Sequence, residues 1–254
     1  MPAGLLADTF HGGSVTVPGD TAAPAKQGGL FEDLIEVFYA PSTVFDRTRN
    51  ATVGKYLLVT AVIVAVILVA TKGLMMPYFD AQFDLTAKMS AAKGRPMPEA
   101  ARAATTYSIM GASILFAALG PFVNGFFLTL GSKIIGVPLS FARASVIAVL
   151  AGMPRIVSWL SVAVQGLLLD DASSVRSLSD ASIGPARLVD PETTSPAILA
   201  LLGGFDLFRI WQIVLMGIGI SVVARVSRTN GYLAAVIAMG IVTVISLIPS
   251  ALFG

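Results

Sequence analysis

The stretch IAVLAGMPRIVSWLSVAV (Ile147–Val164) is apolar enough to lie in a lipid bilayer, yet it places Pro154 beside Arg155 near its middle. The apolar residues continue on both sides, so the predicted helix extends over Ala144–Leu169. A helix needs about 20 apolar residues to cross the hydrocarbon core. The sequence therefore predicts a membrane-spanning helix with a helix breaker and a permanent cation at its centre.

The composition extends this prediction to the whole chain. Of its 254 residues, 55% are hydrophobic and only 13% are charged, whereas soluble domains carry about 25% charged residues. Backbone groups in lipid must be satisfied within helices or closed barrels, and these segments are too long for barrel strands. We therefore predict an all-α polytopic bundle of five transmembrane helices with additional short amphipathic helices. The other four spans are Tyr56–Phe79, Tyr107–Leu130, Leu207–Ala224 and Tyr232–Phe253.

The charged and reactive residues argue against several function classes. The net charge is +2 without a basic tract, so nucleic acid is not an expected partner. The chain has no cysteine, and its single histidine, His11, lies in residues 1–29, which we predict to be a flexible tail. No HExxH, P-loop or GxSxG motif is present. We therefore expect no enzyme activity, no metal site and no cofactor.

Basic residues predict the orientation of the spans. The short loops 131–143 and 225–231 contain basic residues and no acidic ones, whereas loop 170–206 contains six carboxylates and two arginines. The positive-inside rule then places the N-terminus in the cytoplasm and the C-terminus on the periplasmic side. Within the acidic loop, SPAILALLGG (Ser195–Gly204) predicts a short helix closed by glycine.

Residues 30–54 are the predicted cytoplasmic entry segment. LFEDLIEVF (Leu30–Phe38) repeats apolar residues at the spacing of one helix face, and its three carboxylates lie on the other face. Anionic headgroups repel an acidic face, so we expect this helix to pack on the bundle or on a partner. The alternative is a short interfacial helix without a partner. Pro41 is expected to end the helix.

A stripe of small residues predicts which way Arg155 points. Ala144, Ala148 and Gly152 recur at every fourth position, which lets another helix approach closely. Arg155 lies three residues beyond Gly152 on the same face, so we expect it to point into the bundle. Gly217 and Gly219 of the fourth span are expected near the same level and are further candidates for close packing.

The second span contributes Pro121 and Asn124 at the depth of Pro154. Each proline frees a backbone carbonyl one turn earlier. Arg155 could donate hydrogen bonds to these carbonyls and to Asn124, as a structural pin, or it could bind an anionic group of a substrate, lipid or partner. A mid-membrane cation costs about 3 kcal/mol or more, so some use is expected.

No acidic side chain is expected beside Arg155. Asp206 is predicted near the outer end of the fourth span, where it would pair with Arg209 three residues later.

Three stretches carry a resemblance to a known family. The first contains Pro41 and Phe45 ahead of the first span, and the third contains Asp206 and Trp211 at the start of the fourth. The stretches are LIEVFYAPSTVFDRTRN (Leu34–Asn50), IIGVPLSFARASVIAVLAGMPRIVSWL (Ile134–Leu160) and FDLFRIWQIVLMGIGISVVARVSRTNGYLAAV (Phe205–Val236). In this order they resemble the entry motif, the proline-containing span and the Asp-Leu-Phe-x-Ile-Trp segment of the bacterial Yip family, named for Ypt/Rab-interacting proteins.

The resemblance implies a Yip-like five-helix transmembrane domain over residues 55–254, with a cytoplasmic N-terminus. Eukaryotic relatives bind prenylated Rab-type GTPases, but their Asp-Leu-Tyr-Gly-Pro motif before the first span is missing here. Only LGPF (Leu119–Phe122) occurs, inside the second span. GTPase binding is therefore not expected.

Two functions are compatible with these observations. The first is a non-enzymatic scaffold or accessory subunit of a bacterial inner membrane, in contact with membrane lipids or with other membrane proteins such as an envelope export complex. The second is a transport, efflux or channel subunit whose pathway passes the polar site at Arg155.

Overall fold

A computed structural model describes residues 29–253, and these residues are all-helical, with no strand among them. The predicted tail lies outside the described residues, except for Gly29. Three 3-10 turns lie between the third and fourth spans, at Ala172–Ser174, Leu178–Ala181 and Pro185–Leu188. The α-helices of the described residues are α1 (Leu30–Glu36), α2 (Pro41–Arg47), α3 (Val53–Ala92), α4 (Ala101–Ile134), α5 (Phe141–Ala151), α6 (Met153–Leu167), α7 (Pro196–Gly203), α8 (Leu207–Val223) and α9 (Arg228–Phe253).

The helices confirm a polytopic membrane bundle. Three single helices, α3, α4 and α9, and the combined α5–α6 segment are each long and apolar enough to cross a bilayer. The fifth crossing is the pair α7–α8, which is bent by 53°. The described residues therefore provide four spans, or five when the bent pair is counted as one.

The fourth span is broken because two capping residues interrupt it. Gly204 caps the end of α7, and Asp206 caps the start of α8 by accepting a hydrogen bond from the backbone nitrogen of Arg209 at 2.7 Å. The helix predicted over Ser195–Gly204 is confirmed as α7. It is the first helix of the bent pair α7–α8.

The third span is also broken, at Gly152. α5 ends at Ala151 and α6 begins at Met153, with Pro154 in the first turn of α6. Proline has no backbone N–H with which to continue the hydrogen-bond ladder of α5. Pro121, in contrast, lies within the continuous helix α4.

α5 forms the centre of the bundle. Every residue in 144–151 is buried, and α5 packs on α3, α4 and α8. After the break, α6 packs chiefly on α3 and α8. The break therefore directs the second half of the span away from α4.

Several glycines allow close helix packing. A Cβ atom on Gly217 would lie 2.2 Å from the Tyr232 ring, and one on Gly219 would lie 2.7 Å from the Ile147 side chain. In the predicted stripe of small residues, Ala144 and Ala148 are buried. Gly152 is different, because an added Cβ would approach only carbonyl groups of α5, the nearest at 3.2 Å.

The entry segment packs on the bundle. Val37, Val44 and Phe45 are fully buried, and the Phe38 and Trp211 rings meet edge to face with their centroids 5.2 Å apart. Pro41 does not simply end the first helix, since α1 stops at Glu36 and Pro41 begins α2. Proline fits the first turn of a helix because the N–H there has no intrahelical partner.

The predicted sidedness of α1 is wrong for two of its apolar residues. Phe31 and Ile35 are 65% and 64% exposed, whereas Asp33 is buried. Asp33 accepts hydrogen bonds from the Tyr56 hydroxyl and from Arg47.

Ion pairs explain this orientation of α1. Arg47 also pairs with Glu36 at 2.5 Å. Burial lowers the pKa of Arg47, but its hydrogen bonds to Glu36 and Asp33 outweigh this and leave the pKa raised. Asp33 and Glu36 therefore face the charged Arg47, and Phe31 and Ile35 stay exposed.

The bundle has two distinct ends. At the end that holds the entry segment, called the entry end, Arg228 donates to Ser42 at 2.8 Å, which ties the start of α9 to α2. At the loop end, the 3-10 turns cover the extension of α3, where Lys88 pairs with Glu192 at 2.6 Å. Gln165 of α6 donates to the Ala181 carbonyl at 2.9 Å and so attaches this cover to the spans.

We predict that Gly131→Ala destabilises the bundle. An alanine Cβ at this position would lie 2.6 Å from the Ala234 carbonyl oxygen, so α4 and α9 would have to separate. Overpacking of this kind costs about 1–3 kcal/mol. The measurement is the thermal unfolding midpoint in detergent micelles.

Gly111→Ala is the matched control on the same helix. An added Cβ there meets nothing within 4 Å, so the better helix propensity of alanine should leave stability unchanged or raise it by up to about 1 kcal/mol. Equal midpoints for the two variants would contradict close α4–α9 packing.

Candidate intramembrane site

A cavity of about 610 Å³ lies between α3, α4, the α5–α6 break and α8. It occupies the space that α6 leaves when it turns away from α4. Phe116 of α4 lines the cavity and is 61% exposed, so the cavity reaches the lateral surface of the bundle. The walls are largely apolar. The polar side chains that line it are Thr60, Ser113, Asn124, Arg155, Trp159, Arg209 and Gln212.

The structure brings together much of the predicted polar site. Pro121, Asn124 and Arg155 line the same cavity, as do Ala148 and Gly152. The remaining predicted residues lie elsewhere. Pro154 is buried in the first turn of α6, and Pro41 begins α2. Ala144, Gly217 and Gly219 lie in helix contacts, and Phe45 and Trp211 join the entry segment to α8.

The prediction that no acidic residue reaches Arg155 is wrong. The Nη1 atom of Arg155 lies 2.7 Å from Oδ2 of Asp206. The bend between α7 and α8 places Asp206 inside the bundle, at the depth of the break in the third span. No hydrogen bond from Arg155 to Asn124 or to a freed carbonyl forms within the described residues.

Asp206 therefore has two partners, and neither is the Arg209 side chain. Oδ1 of Asp206 accepts from the Arg209 backbone N–H, and Oδ2 accepts from Arg155. The Arg209 guanidinium lines the cavity without a hydrogen bond or ion pair to any described residue. The site thus holds two guanidinium groups and one carboxylate, which leaves a net positive charge.

Two further polar groups of the cavity wall have no partner among residues 29–253. Thr60 and Gln212 are only 5% and 3% exposed, and Oγ1 of Thr60 and Oε1 of Gln212 make no hydrogen bond. An unsatisfied buried polar group costs about 1–3 kcal/mol. Both side chains line the cavity, but these two oxygen atoms have essentially no accessible surface, so a ligand would reach them only after the side chains rotate.

A second, smaller cavity of about 130 Å³ adjoins the first. Arg155, Trp159 and Leu178 line both cavities, and Asp206 lines the smaller one. Ser182 and Ile183 place the smaller cavity at the loop end. The Arg155–Asp206 pair therefore lies between the larger cavity and the 3-10 turns at the loop end.

The arrangement can bind a polar or anionic group, since it combines guanidinium, amide and hydroxyl groups in an apolar surround. Among the described residues, no three His, Asp or Glu side chains are placed to hold a metal ion.

The profile of the Yip1 domain family matches residues 35–249. The chain belongs to the Yip family. No curated protein and no solved structure shows significant similarity to it. The match extends from the entry segment to the last span, so the cavity is built entirely from the Yip1 domain.

Sequence reasoning missed Thr60, Arg209 and Gln212. Arg209 was expected only as a partner of Asp206, and the available signal for all three was a polar residue within an otherwise apolar stretch. Their convergence depends on which faces of α3 and α8 meet, and this follows from the two helix breaks.

We predict a measurable coupling between Arg155 and Asp206. In a double-mutant cycle with Arg155→Met and Asp206→Asn, the coupling free energy should be about 0.5–3 kcal/mol. Asparagine can still cap α8, so the cycle isolates the charge interaction. The measurement is the free energy of unfolding in detergent.

The exposed pair Lys88–Glu192 is the control cycle. Its atoms lie 2.6 Å apart, but its side chains are 66% and 52% exposed, and such pairs contribute about 0–1 kcal/mol. A coupling at Arg155–Asp206 no larger than this would show that the pair does not hold the helix breaks together.

Proposed function

We propose that this Yip family protein is a non-enzymatic accessory protein that works by holding a membrane lipid, or a segment of another membrane protein, in its lateral cavity. The main supporting observation is the cavity itself, which reaches the surface beside Phe116 and is lined by Arg209, whose guanidinium makes no ion pair among the described residues. Thr60 and Gln212 also line the cavity, and each has a buried oxygen without a hydrogen bond. Ligand sites are typically apolar clefts with a few placed polar groups, with volumes of about 300–1,000 Å³.

The proposed location is a bacterial inner membrane with the N-terminus in the cytoplasm and the C-terminus in the periplasm. The basic turns 131–143 and 225–231 lie at the entry end with α2, and the acidic loop 170–206 lies at the loop end. The positive-inside rule supports the cytoplasmic assignment of the entry end. In this orientation Arg155 and Asp206 lie towards the periplasmic side.

The absence of cysteine allows a direct test of the cavity. In the Ser113→Cys variant, a bulky maleimide attached to the thiol should occupy the cavity, because Ser113 lines it. We expect the protein purified in mild detergent to carry a bound lipid or membrane protein, and we expect labelling to displace it. Native mass spectrometry measures both states.

Ser108→Cys is the control variant, since Ser108 is exposed on the same helix and lies outside the cavity. Labelling there should displace nothing. Purification of a solitary polypeptide without any bound molecule, before labelling, would contradict the proposed function.

A second candidate is a transport subunit, favoured by the position of Arg155 between two cavities. Transporters often bind their substrates where discontinuous helices meet near the middle of the bilayer. The breaks at Gly152 and at Gly204–Asp206 create such a meeting point. The Arg155–Asp206 pair would then act as the constriction of a pathway for small anions.

This candidate predicts anion flux from proteoliposomes that contain the wild-type protein. Arg155→Met should reduce the flux at least about tenfold, because the cation would no longer attract the anion past the constriction. The folded fraction should stay unchanged by size-exclusion chromatography. Wild-type flux equal to that of protein-free liposomes would exclude the transport function.

A further inference from the structure

The chemistry of the cavity identifies the class of molecule that fits it. Resting on the proposed function, we propose that the occupant is an anionic glycerophospholipid with a hydroxyl-bearing headgroup. Its phosphate would bind Arg209, and one acyl chain would follow the apolar wall. Its headgroup hydroxyl would donate to Gln212 once the amide of that side chain rotates towards the cavity.

The charge of the site calls for an anion. Arg155 is partly neutralised by Asp206 at 2.7 Å, whereas Arg209 has no ion-pair partner among the described residues. A guanidinium presents a planar set of N–H donors that matches the oxygens of a phosphate. A phosphodiester at Arg209 would therefore supply the missing counter-charge without competing for Asp206.

The unpartnered polar atoms add a second requirement. Oε1 of Gln212 is a buried acceptor without a donor, and Gln212 lies one turn after Arg209 on α8. Phosphodiester oxygens offer no donor, so the ligand needs an additional O–H group close to its phosphate. The Thr60 hydroxyl, on the facing helix α3, could donate to a phosphate or ester oxygen after rotation of the side chain towards the cavity.

The remaining wall explains why the anion would belong to a lipid. Val64, Ile109 and Ile156 line the cavity with apolar surface, and exposed Phe116 marks its lateral opening. A free phosphate ion would leave this surface without a partner, whereas an acyl chain covers it. The cavity holds only part of a phospholipid, so the second chain would stay in the bilayer.

The test compares three probes on the purified full chain in a non-ionic detergent. Phosphatidylglycerol carries both the anion and the hydroxyl donor, phosphatidylcholine carries no net charge, and inorganic phosphate carries no acyl chain. We expect phosphatidylglycerol to raise the thermal unfolding midpoint of the wild type in a saturable manner. Phosphatidylcholine and inorganic phosphate should bind at least about tenfold more weakly.

Arg209→Gln should weaken phosphatidylglycerol binding about tenfold or more, because it removes the unpaired guanidinium while the Asp206 cap is retained. Arg143→Gln is the control, since Arg143 is an exposed arginine at the entry end and lies outside the cavity. It should bind phosphatidylglycerol like the wild type. Equal weakening in both variants would show attraction to surface charge and would overturn the proposal.

Gln212→Leu keeps the proposal testable if Arg209→Gln fails to fold. It removes the buried unpartnered acceptor, so the lipid-free protein should be at least as stable and should still lose affinity for phosphatidylglycerol. Undiminished binding by whichever variants fold would overturn the proposal.

The outcomes separate this inference from the proposed function. If phosphatidylcholine binds as tightly as phosphatidylglycerol and the maleimide on Ser113→Cys displaces both, the cavity holds lipid but does not select for charge, and only the present inference fails. If inorganic phosphate stabilises the protein as strongly as phosphatidylglycerol, the site recognises a soluble anion, and the lipid assignment is wrong. If no probe binds and the label displaces nothing, the proposed function fails as well.

Discussion

The backbone hydrogen bond that Pro154 cannot make is the constraint on which the cavity depends. A span with a complete hydrogen-bond ladder would continue along the line of α5, which packs against α4. Because the ladder is interrupted at Gly152, α6 is free to follow α3 and α8 instead. Irregular backbone at membrane depth is tolerated where it lies within protein or lines a cavity. The break and the cavity are therefore two parts of one structural feature.

The second break provides the counter-charge for the first. A straight fourth span would place Asp206 away from Arg155, as a simple count of residues suggests. Gly204 ends α7 and Asp206 starts α8, and the resulting bend of 53° directs Asp206 into the bundle. Its two carboxylate oxygens then serve two purposes, since one caps α8 and the other pairs with Arg155. A single side chain thus joins the two broken spans.

The sequence is sufficient to predict the apolar spans, because hydropathy and helix length determine them. It also correctly groups Arg155, Asn124 and Pro121 around one space. It fails where the answer depends on a bend angle or on a partner distant in sequence. The Arg155–Asp206 pair requires the α7–α8 bend, and the outward position of Phe31 follows from the burial of Asp33 against Arg47 and Tyr56. A hydrophobic pattern alone contains neither piece of information.

A purely structural role for the polar site accounts for only part of it. The ion pair with Asp206 gives Arg155 a partner on the other broken helix pair, so a structural role would need only these two residues. Arg209 would then be an unpaired cation in an apolar wall, and Thr60 and Gln212 would hold buried polar atoms without partners. The buried oxygens of Thr60 and Gln212 each cost about 1–3 kcal/mol, while an apolar residue of similar shape would avoid the cost. These three groups line one cavity that opens laterally beside Phe116, which is the arrangement expected of a site for a molecule from the bilayer.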